Sequence, residues 1–242
     1  MNDPVLLNFA DKIATVTISR ENRRNALDHF AMERLGQAFE EIDASDATVT
    51  ILTGAGQKSF CAGDDIKAYR ERTAEQSKAH FKNGLRVFDA IEIHSTFVIA
   101  AIEGYCIGGG LELALCADFR IASYSAHIAL PEVRSMNAYP SWGGLTRLPR
   151  VVGRQTAKRV ALMGDVLDGN AALNCGLADM VVDDGTTLSS AKAVAEKMAQ
   201  DIDREVFSTS KRVLLESEDL TTRSLHEINR LLESSLQFTG ES

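Results

Sequence analysis

A chain of 242 residues, 45% of them hydrophobic and 25% charged, has the composition of an ordinary globular protein and the length for one substantial core. Its formal net charge of -8 excludes the broadly basic face of a nucleic-acid scaffold or an anionic-membrane binder, so any phosphate-bearing ligand depends on a local positive patch. The four cysteines, Cys61, Cys106, Cys116 and Cys175, form no CxxC pair and show no metal-ligand spacing, which fits small hydrophobes in a reduced, cytoplasmic setting.

The N-terminal "MNDPVLLNFADK" has an acid and a proline where an export signal has a basic then apolar stretch. "VLLNF" and "IATVTIS", joined by "ADK", read as a β-hairpin, with Ala14, Val16 and Ile18 alternating with Thr15 and Thr17. "NALDHFAMERLGQAFEEI" reads as an amphipathic helix with Asp28 at its N-cap and Phe30, Leu35, Phe39 and Ile42 inward. "TVTILTG" is a strand closed by glycine, and "KSFCAGDDI" a short apolar run ending in a turn. "AEQSKAHFKNGLRVFDAI" is a helix with Phe81, Leu85 and Phe88 inward.

The run from Phe97 to Ala117 has about the length of a membrane span. Its glutamates and glycines predict instead a buried strand, "TFVIAAIEG", followed by a short helix, "GGLELALCAD". "FRIAS" and "HIALPE" read as strands and "GRQTAKRVALMG" as a helix. This alternation predicts an α/β fold with a mainly parallel sheet over residues 1–186. Residues 187–242 read as a helical segment of three helices, the last carrying a stripe of Leu225, Ile228, Leu231, Leu232 and Leu236 that calls for a packing partner.

Several familiar motifs are excluded. "TGAGQKS" lacks the GxxxxGK[ST] spacing of a phosphate loop, and "GYCIGGG" lacks the GxGxxG of a dinucleotide fold. The histidines, His29, His80, His94, His127 and His226, never fall at HxxxH spacing and read as surface or capping residues, so no metal site is expected. There is no GxSxG elbow, and Cys61 reads as core.

Two places carry chemistry. In "IGGGLE" consecutive glycines stand where a strand gives way to a helix, so free N–H groups can point at a developing negative oxygen, with Glu112 one turn beyond Gly109. The bland reading of Glu112 is a carboxylate at a helix start. "FCAGDDIKAY" has the same strand, turn and helix start, placing N–H groups near Asp64, and the two together make a complete oxyanion hole. Glu132, after Pro131 at a strand end, is by composition alone an ordinary loop glutamate. Beside such a hole, two carboxyls supply an acid and a base for proton transfer next to a carbonyl.

Together "ISRENRRNALD", "TVTILTGAGQKSFCAGDDIKAY", "FVIAAIEGYCIGGGLELALCADFRIAS", "IALPEV", "GGLTRLPRVVG" and "NCGLADMVV" resemble the crotonase family of enoyl-CoA hydratases and isomerases, in order and spacing along nearly the whole chain. The resemblance implies a ββα spiral core with a helical C-terminal trimerisation segment, trimers or dimers of trimers, and an acyl-CoA substrate. Coenzyme A enters as part of that substrate, with no separate cofactor. It implies that the backbone N–H groups of Asp64 and Gly109 hold the thioester oxygen. Glu112 would orient and deprotonate the water added across the C2=C3 bond, and Glu132 would exchange the proton at C2.

The implied substrate-binding residues are Ala62, Asp65, Ile66, Lys67, Arg23, Arg24 and Trp142, with the three cationic ones as candidates for the phosphates. Burial is expected to raise one carboxyl's pKa and the helix start to lower that of Glu112. Hydration is the leading expectation. Double-bond isomerisation, cleavage of another bond through the same enolate, and a silent binding protein are the alternatives. The chain departs from the family's pattern at Asp64, at Tyr139 and Trp142, and in ending at "LQFTGES".

Overall fold

The alternation of short strands and helices is realised in the computed structural model, which describes residues 3–217, as a spiral of ββα units. Strands β1 (Val5–Ala10) and β2 (Ile13–Ile18) form the expected antiparallel hairpin, with Val5 opposite Ile18. Helix α1 (His29–Asp43) begins as expected at Asp28, whose carboxylate accepts the Ala31 N–H.

Each turn of the spiral then gives one strand to a large sheet, one to a small sheet, and a helix start. The first comprises β3 (Val49–Gly54), β4 (Ser59–Cys61) and α2 (Ile66–Glu71), followed by α3 (Ala74–Glu92). The second comprises β5 (Phe97–Ile102), β6 (Tyr105–Ile107) and α4 (Gly109–Ala114). The third comprises β7 (Phe119–Ser123), β8 (His127–Ala129) and a π-helical turn at Glu132–Met136. Helix α5 (Gly144–Lys158), α6 (Gly169–Asn174), β9 (Met180–Val182), α7 (Thr187–Asp201) and α8 (Arg204–Ser217) complete the described chain.

The large sheet has the order β1-β2-β3-β5-β7-β9 and is parallel from β2 onward. Both faces of its middle are covered, which is why β5 is apolar throughout. Val98, Ala100 and Ile102 face the main core, and Ile99 and Ala101 face a second cluster with Ala191 and Ala195 of α7. Glu103, just beyond β5, is buried and paired: it accepts the Gly185 N–H at 2.9 Å and the Thr187 hydroxyl at 3.0 Å, where α7 begins.

The small sheet, in the order β4-β6-β8, is wholly parallel, and its register sets Cys61 beside Cys106 and Cys106 beside Ile128. Three successive strands therefore end at one edge. The residues just past those ends are Asp64, Gly109 and Glu132, so the topology lines up along one edge three residues far apart in sequence.

The structure corrects some inward faces. Phe30 is 72% exposed and Leu85 40% exposed. The buried stripe of α1 runs through Met32, Leu35, Phe39 and Ile42, and that of α3 through His80, Gly84, Val87, Phe88 and Ile91. Phe30 and Leu85 each lie off a stripe repeating every three to four residues. "GRQTAKRVALMG" is the tail of a helix that starts earlier, at Gly144; it kinks at Gly153 (φ 74°) and continues into a π-helical turn at Arg159–Met163. Two of the three C-terminal helices are seen as α7 and α8. The third, with its Leu225 to Leu236 stripe, lies outside the described residues.

Candidate active site

The Asp64 N–H is freed by the way its strand end is held. A parallel bridge between Leu27 and Asp64 uses the Leu27 N–H, donated to the Gly63 carbonyl at 2.8 Å, and the Asp65 N–H, donated to the Leu27 carbonyl at 3.2 Å. That pattern leaves the Asp64 N–H outside the ladder. Gly109 is the first residue of α4, so its N–H has no partner inside the helix. Among the described residues, none accepts a hydrogen bond from either N–H.

The glycines bring these donors together. A Cβ on Gly63 would lie 2.8 Å from the Gly109 nitrogen, so the two loops touch backbone to backbone. Gly108 turns the chain with φ 57° and ψ -123°, and a Cβ there would lie 2.6 Å from Glu132 Oε1. A Cβ on Gly110 would strike the Cys61 carbonyl at 2.0 Å, so the three glycines allow α4 to start hard against β4 and the Glu132 turn.

Glu112, in the first turn of α4, is 2% exposed. Its Oε1 accepts the backbone N–H groups of Trp142 and Gly144, each at 2.8 Å. Burial raises its pKa above the usual carboxylate range, against those hydrogen bonds and the charge of Arg147. Glu132 is half-buried, and its Oε2 has no hydrogen-bond partner among the described residues. Burial first, and the charge of Glu112 second, push it up to about 7. The expected lowering of Glu112 by its helix start is thus not realised: the carboxyl is taken so far from water that desolvation prevails at both sites.

Trp142 joins the same cluster. Its indole is 2% exposed and lies edge-on to Phe88 and His80, with ring centroids 5.2 and 5.5 Å away. A Cβ on Gly109 would meet its Cζ3 at 2.3 Å, so the ring walls the donor loop on the α3 side. Tyr139, by contrast, is 82% exposed and packs against nothing in the core.

Asp65 is buried and caps α2, with Oδ1 accepting the Lys67 and Ala68 N–H groups and Oδ2 the Arg20 guanidinium at 3.0 Å. Burial pushes its pKa up, but the Ala68 N–H and Arg20 outweigh it and hold the carboxyl below its usual range. Ala62 donates its N–H to the Arg24 carbonyl at 3.1 Å, and the Arg24 guanidinium lies over the Tyr105 ring at 4.9 Å. Arg23, Ile66 and Lys67 are exposed around that rim.

Two residues had drawn no functional reading from sequence. His80, expected at the surface, is 2% exposed, with Nε2 3.1 Å from Asp64 Oδ1. Arg72 grips the same carboxylate through two contacts of 2.9 Å. Their spacing from Asp64, eight and sixteen residues, follows from the break between α2 and α3 and gives no local motif. His94 is also buried, between Thr96 Oγ1 at 2.9 Å and the Phe39 carbonyl at 3.1 Å. Cys61 is core as expected, its thiol pushed up to about 12 by burial.

Comparison with known proteins gives a consistent result. The enoyl-CoA hydratase/isomerase family model matches residues 8–239. The chain is 36% identical over 195 residues to a short-chain-enoyl-CoA hydratase of Clostridium acetobutylicum, covering 80% of this chain and 74% of the relative. It is 35% identical over 195 residues to a crotonyl-CoA hydratase of Syntrophomonas wolfei, covering 80% and 75%. The crystal structure of an enoyl-CoA hydratase from Bacillus anthracis superposes with a TM-score of 0.91 at 29% identity, over 96% of this chain and 90% of that one.

Proposed function

The chain belongs to the enoyl-CoA hydratase/isomerase family, and from that premise we propose that it adds water across the C2=C3 bond of a 2-enoyl-CoA. The observation that carries this reading is that a buried carboxyl, Glu112, and a half-buried one, Glu132, stand beside two touching loops that each present a free backbone donor.

The Asp64 and Gly109 N–H groups receive the thioester oxygen and stabilise the negative charge it gathers as the enolate forms. A donor of this kind is worth roughly 100- to 1,000-fold in rate. Glu112, held by the Trp142 and Gly144 N–H groups, orients a water and takes its proton as the oxygen bonds to C3. Glu132, whose pKa near 7 keeps a proton available at neutral pH, delivers that proton to C2. The proton held by Glu112 returns to Glu132 through the next water, which resets the pair. In this reading both carboxyls work on one face of the bound double bond, so addition is syn.

Coenzyme A enters with the substrate, its phosphates meeting the rim of Arg23, Arg24 and Lys67. A homotrimer or dimer of trimers in the cytoplasm completes the reading; light scattering on the purified full chain tests the assembly, and fractionation of the cells tests the location. No described helix is long and apolar enough to cross a membrane.

The test is to follow loss of the conjugated thioester absorbance of crotonyl-CoA with wild type, Glu112→Ala and Glu132→Ala. The reading expects turnover by wild type and loss of at least 100-fold in each variant. A wild type inert on short and long enoyl-CoAs overturns it. Full activity in Glu112→Ala with loss in Glu132→Ala points to a double-bond isomerase working through Glu132 alone.

A further inference from the structure

The residue that supplies one oxyanion donor also carries a carboxylate. Covalent geometry keeps the Asp64 carboxylate within a few ångströms of its own N–H, beside the oxygen on which negative charge develops. Two like charges that close, away from bulk water, oppose each other by an amount corresponding to about 10- to 100-fold in rate. A free carboxylate there would therefore undo much of what the donor contributes.

It is not free. Arg72, the residue that closes α2, meets both Asp64 oxygens at 2.9 Å in a two-pronged contact. His80 of α3 lies 3.1 Å from Oδ1. An ionised carboxylate only accepts, so His80 Nε2 carries the proton of that hydrogen bond. The Arg72 and His80 side chains are 9% and 1% exposed, and that of Asp64 21% exposed, so the group is largely withdrawn from solvent screening. The three residues come from the small-sheet edge, the end of α2 and the buried face of α3.

We propose that Arg72 is a positioning residue for the reaction: with His80 it turns the Asp64 carboxylate away from the oxyanion hole and cancels its charge there. This rests on the reading of the Asp64 and Gly109 N–H groups as the thioester donors. It also assigns a purpose to the ion pair beyond stability, since Arg72 acts on the enolate through Asp64 without touching it. The charge matters more than the shape, so a lysine at 72 retains part of the function and a neutral side chain does not.

The experiment compares wild type, Arg72→Leu, Arg72→Lys, and the double variant Arg72→Leu/Asp64→Asn. Crotonyl-CoA hydration is one readout. Binding of acetoacetyl-CoA, followed by the absorbance of its enolate form, is a second that needs no hydration chemistry. The inference expects Arg72→Leu to lose about 10- to 100-fold in kcat with a smaller change in KM, and to bind the enolate correspondingly more weakly. Arg72→Lys keeps part of the activity, and adding Asp64→Asn to Arg72→Leu recovers most of the loss.

A merely structural Arg72 predicts instead that kcat and enolate binding, compared at equal folded fraction, are the same in Arg72→Leu as in wild type, with nothing for Asp64→Asn to recover. Equal activity and enolate binding in Arg72→Leu and wild type, or a double variant as slow as Arg72→Leu, overturns the proposal. A wild type that binds the enolate form but hydrates nothing removes the hydratase reading and leaves this inference to be decided by the binding data. A wild type that does neither removes both. Circular dichroism and thermal melting of each variant show whether a loss is one of folding, and the double variant provides the decisive comparison where Arg72→Leu alone is poorly folded.

Discussion

Gly63 and Gly109, 46 residues apart, touch so closely that a methyl group on Gly63 would sit 2.8 Å from the Gly109 nitrogen. This contact sets the separation of the two N–H donors, because Gly63 precedes Asp64 directly. Gly63→Ala meets both a backbone clash and a φ of +84° that side chains rarely adopt. The expected outcome is loss of at least 100-fold in kcat on crotonyl-CoA, the scale of losing one donor. The same variant measured for folding by thermal melting should remain folded but less stable. Activity within a few-fold of wild type would show that the spacing of the donors does not depend on this glycine.

The two carboxyls make the reaction sensitive to pH. Glu132 is pushed up to about 7 and has to be protonated to deliver its proton, so kcat is expected to fall as pH rises through about 7. In the proposed mechanism Glu112 acts in its ionised form, and its pKa is raised above the ordinary carboxylate range, so the acid limb of the profile is also expected above that range. The apparent values belong to the pair because each charge acts on the other. Stability follows the same sign. A carboxyl whose folded pKa is raised binds its proton more tightly in the folded state, so its contribution is present below the ordinary carboxyl value and is lost as pH rises toward about 7. Glu132→Gln should therefore flatten both the alkaline limb and the stability loss over that window. A kcat profile that stays level to well above pH 7 excludes Glu132 as the acid.

The strand and helix order was legible because it rests on local signals: alternation in "IATVTIS", Asp28 before α1, and the glycines at the strand ends. Asp64, Gly109, Glu112 and Glu132, singled out in the sequence, do come close together in the fold; the Gly109 N–H is free at a helix start as read, whereas that of Asp64 is left free by the parallel bridge to Leu27. Arg72 and His80 were not legible, since only the packing of α3 against the small-sheet edge brings them to Asp64. The pKa direction of Glu112 was missed for a related reason: a helix start is a local feature, whereas burial depends on how the whole fold closes over the carboxyl, and here it outweighs even the Trp142 and Gly144 N–H groups that lower the pKa. Phe30 was misplaced because an apolar residue in a helix's first turn can satisfy a loose spacing and still lie beside the buried stripe.

Glu103 provides a control for the reading of the buried glutamates. Its carboxylate is committed to the Gly185 N–H and the Thr187 hydroxyl at the start of α7. Glu103→Ala leaves those two donors unpaired in a buried position, a loss of about 1–3 kcal/mol in stability. The catalytic constants of the folded variant should match wild type. Urea unfolding and kcat measured on the same preparation check this. Unchanged stability, or a fall in kcat without loss of stability, would contradict a purely structural role.

Trp142 gives a prediction about which acyl groups fit. Its indole is wedged between Gly84 of α3 and Gly109 of α4, with ideal Cβ positions on both glycines 2.3 Å from its ring atoms. The backbone N–H of the same residue holds Glu112, so the side chain can be removed without removing that hydrogen bond. On the proposed reading of Gly109 as a thioester donor, the ring is predicted to take space that an acyl chain would otherwise use, and wild type is expected to favour short chains. Trp142→Ala should raise the ratio of kcat/KM for a long 2-enoyl-CoA to that for crotonyl-CoA by about 10-fold, the scale of one to two buried methylenes. Removing so large a buried ring also costs stability, about 3–5 kcal/mol, so the comparison is made as a ratio on the folded fraction and at low temperature. Binding of saturated acyl-CoAs of matched lengths separates fit from chemistry. A ratio unchanged by Trp142→Ala, with the variant still folded and active on crotonyl-CoA, would mean that the acyl chain leaves the site by another route and that the indole serves packing alone.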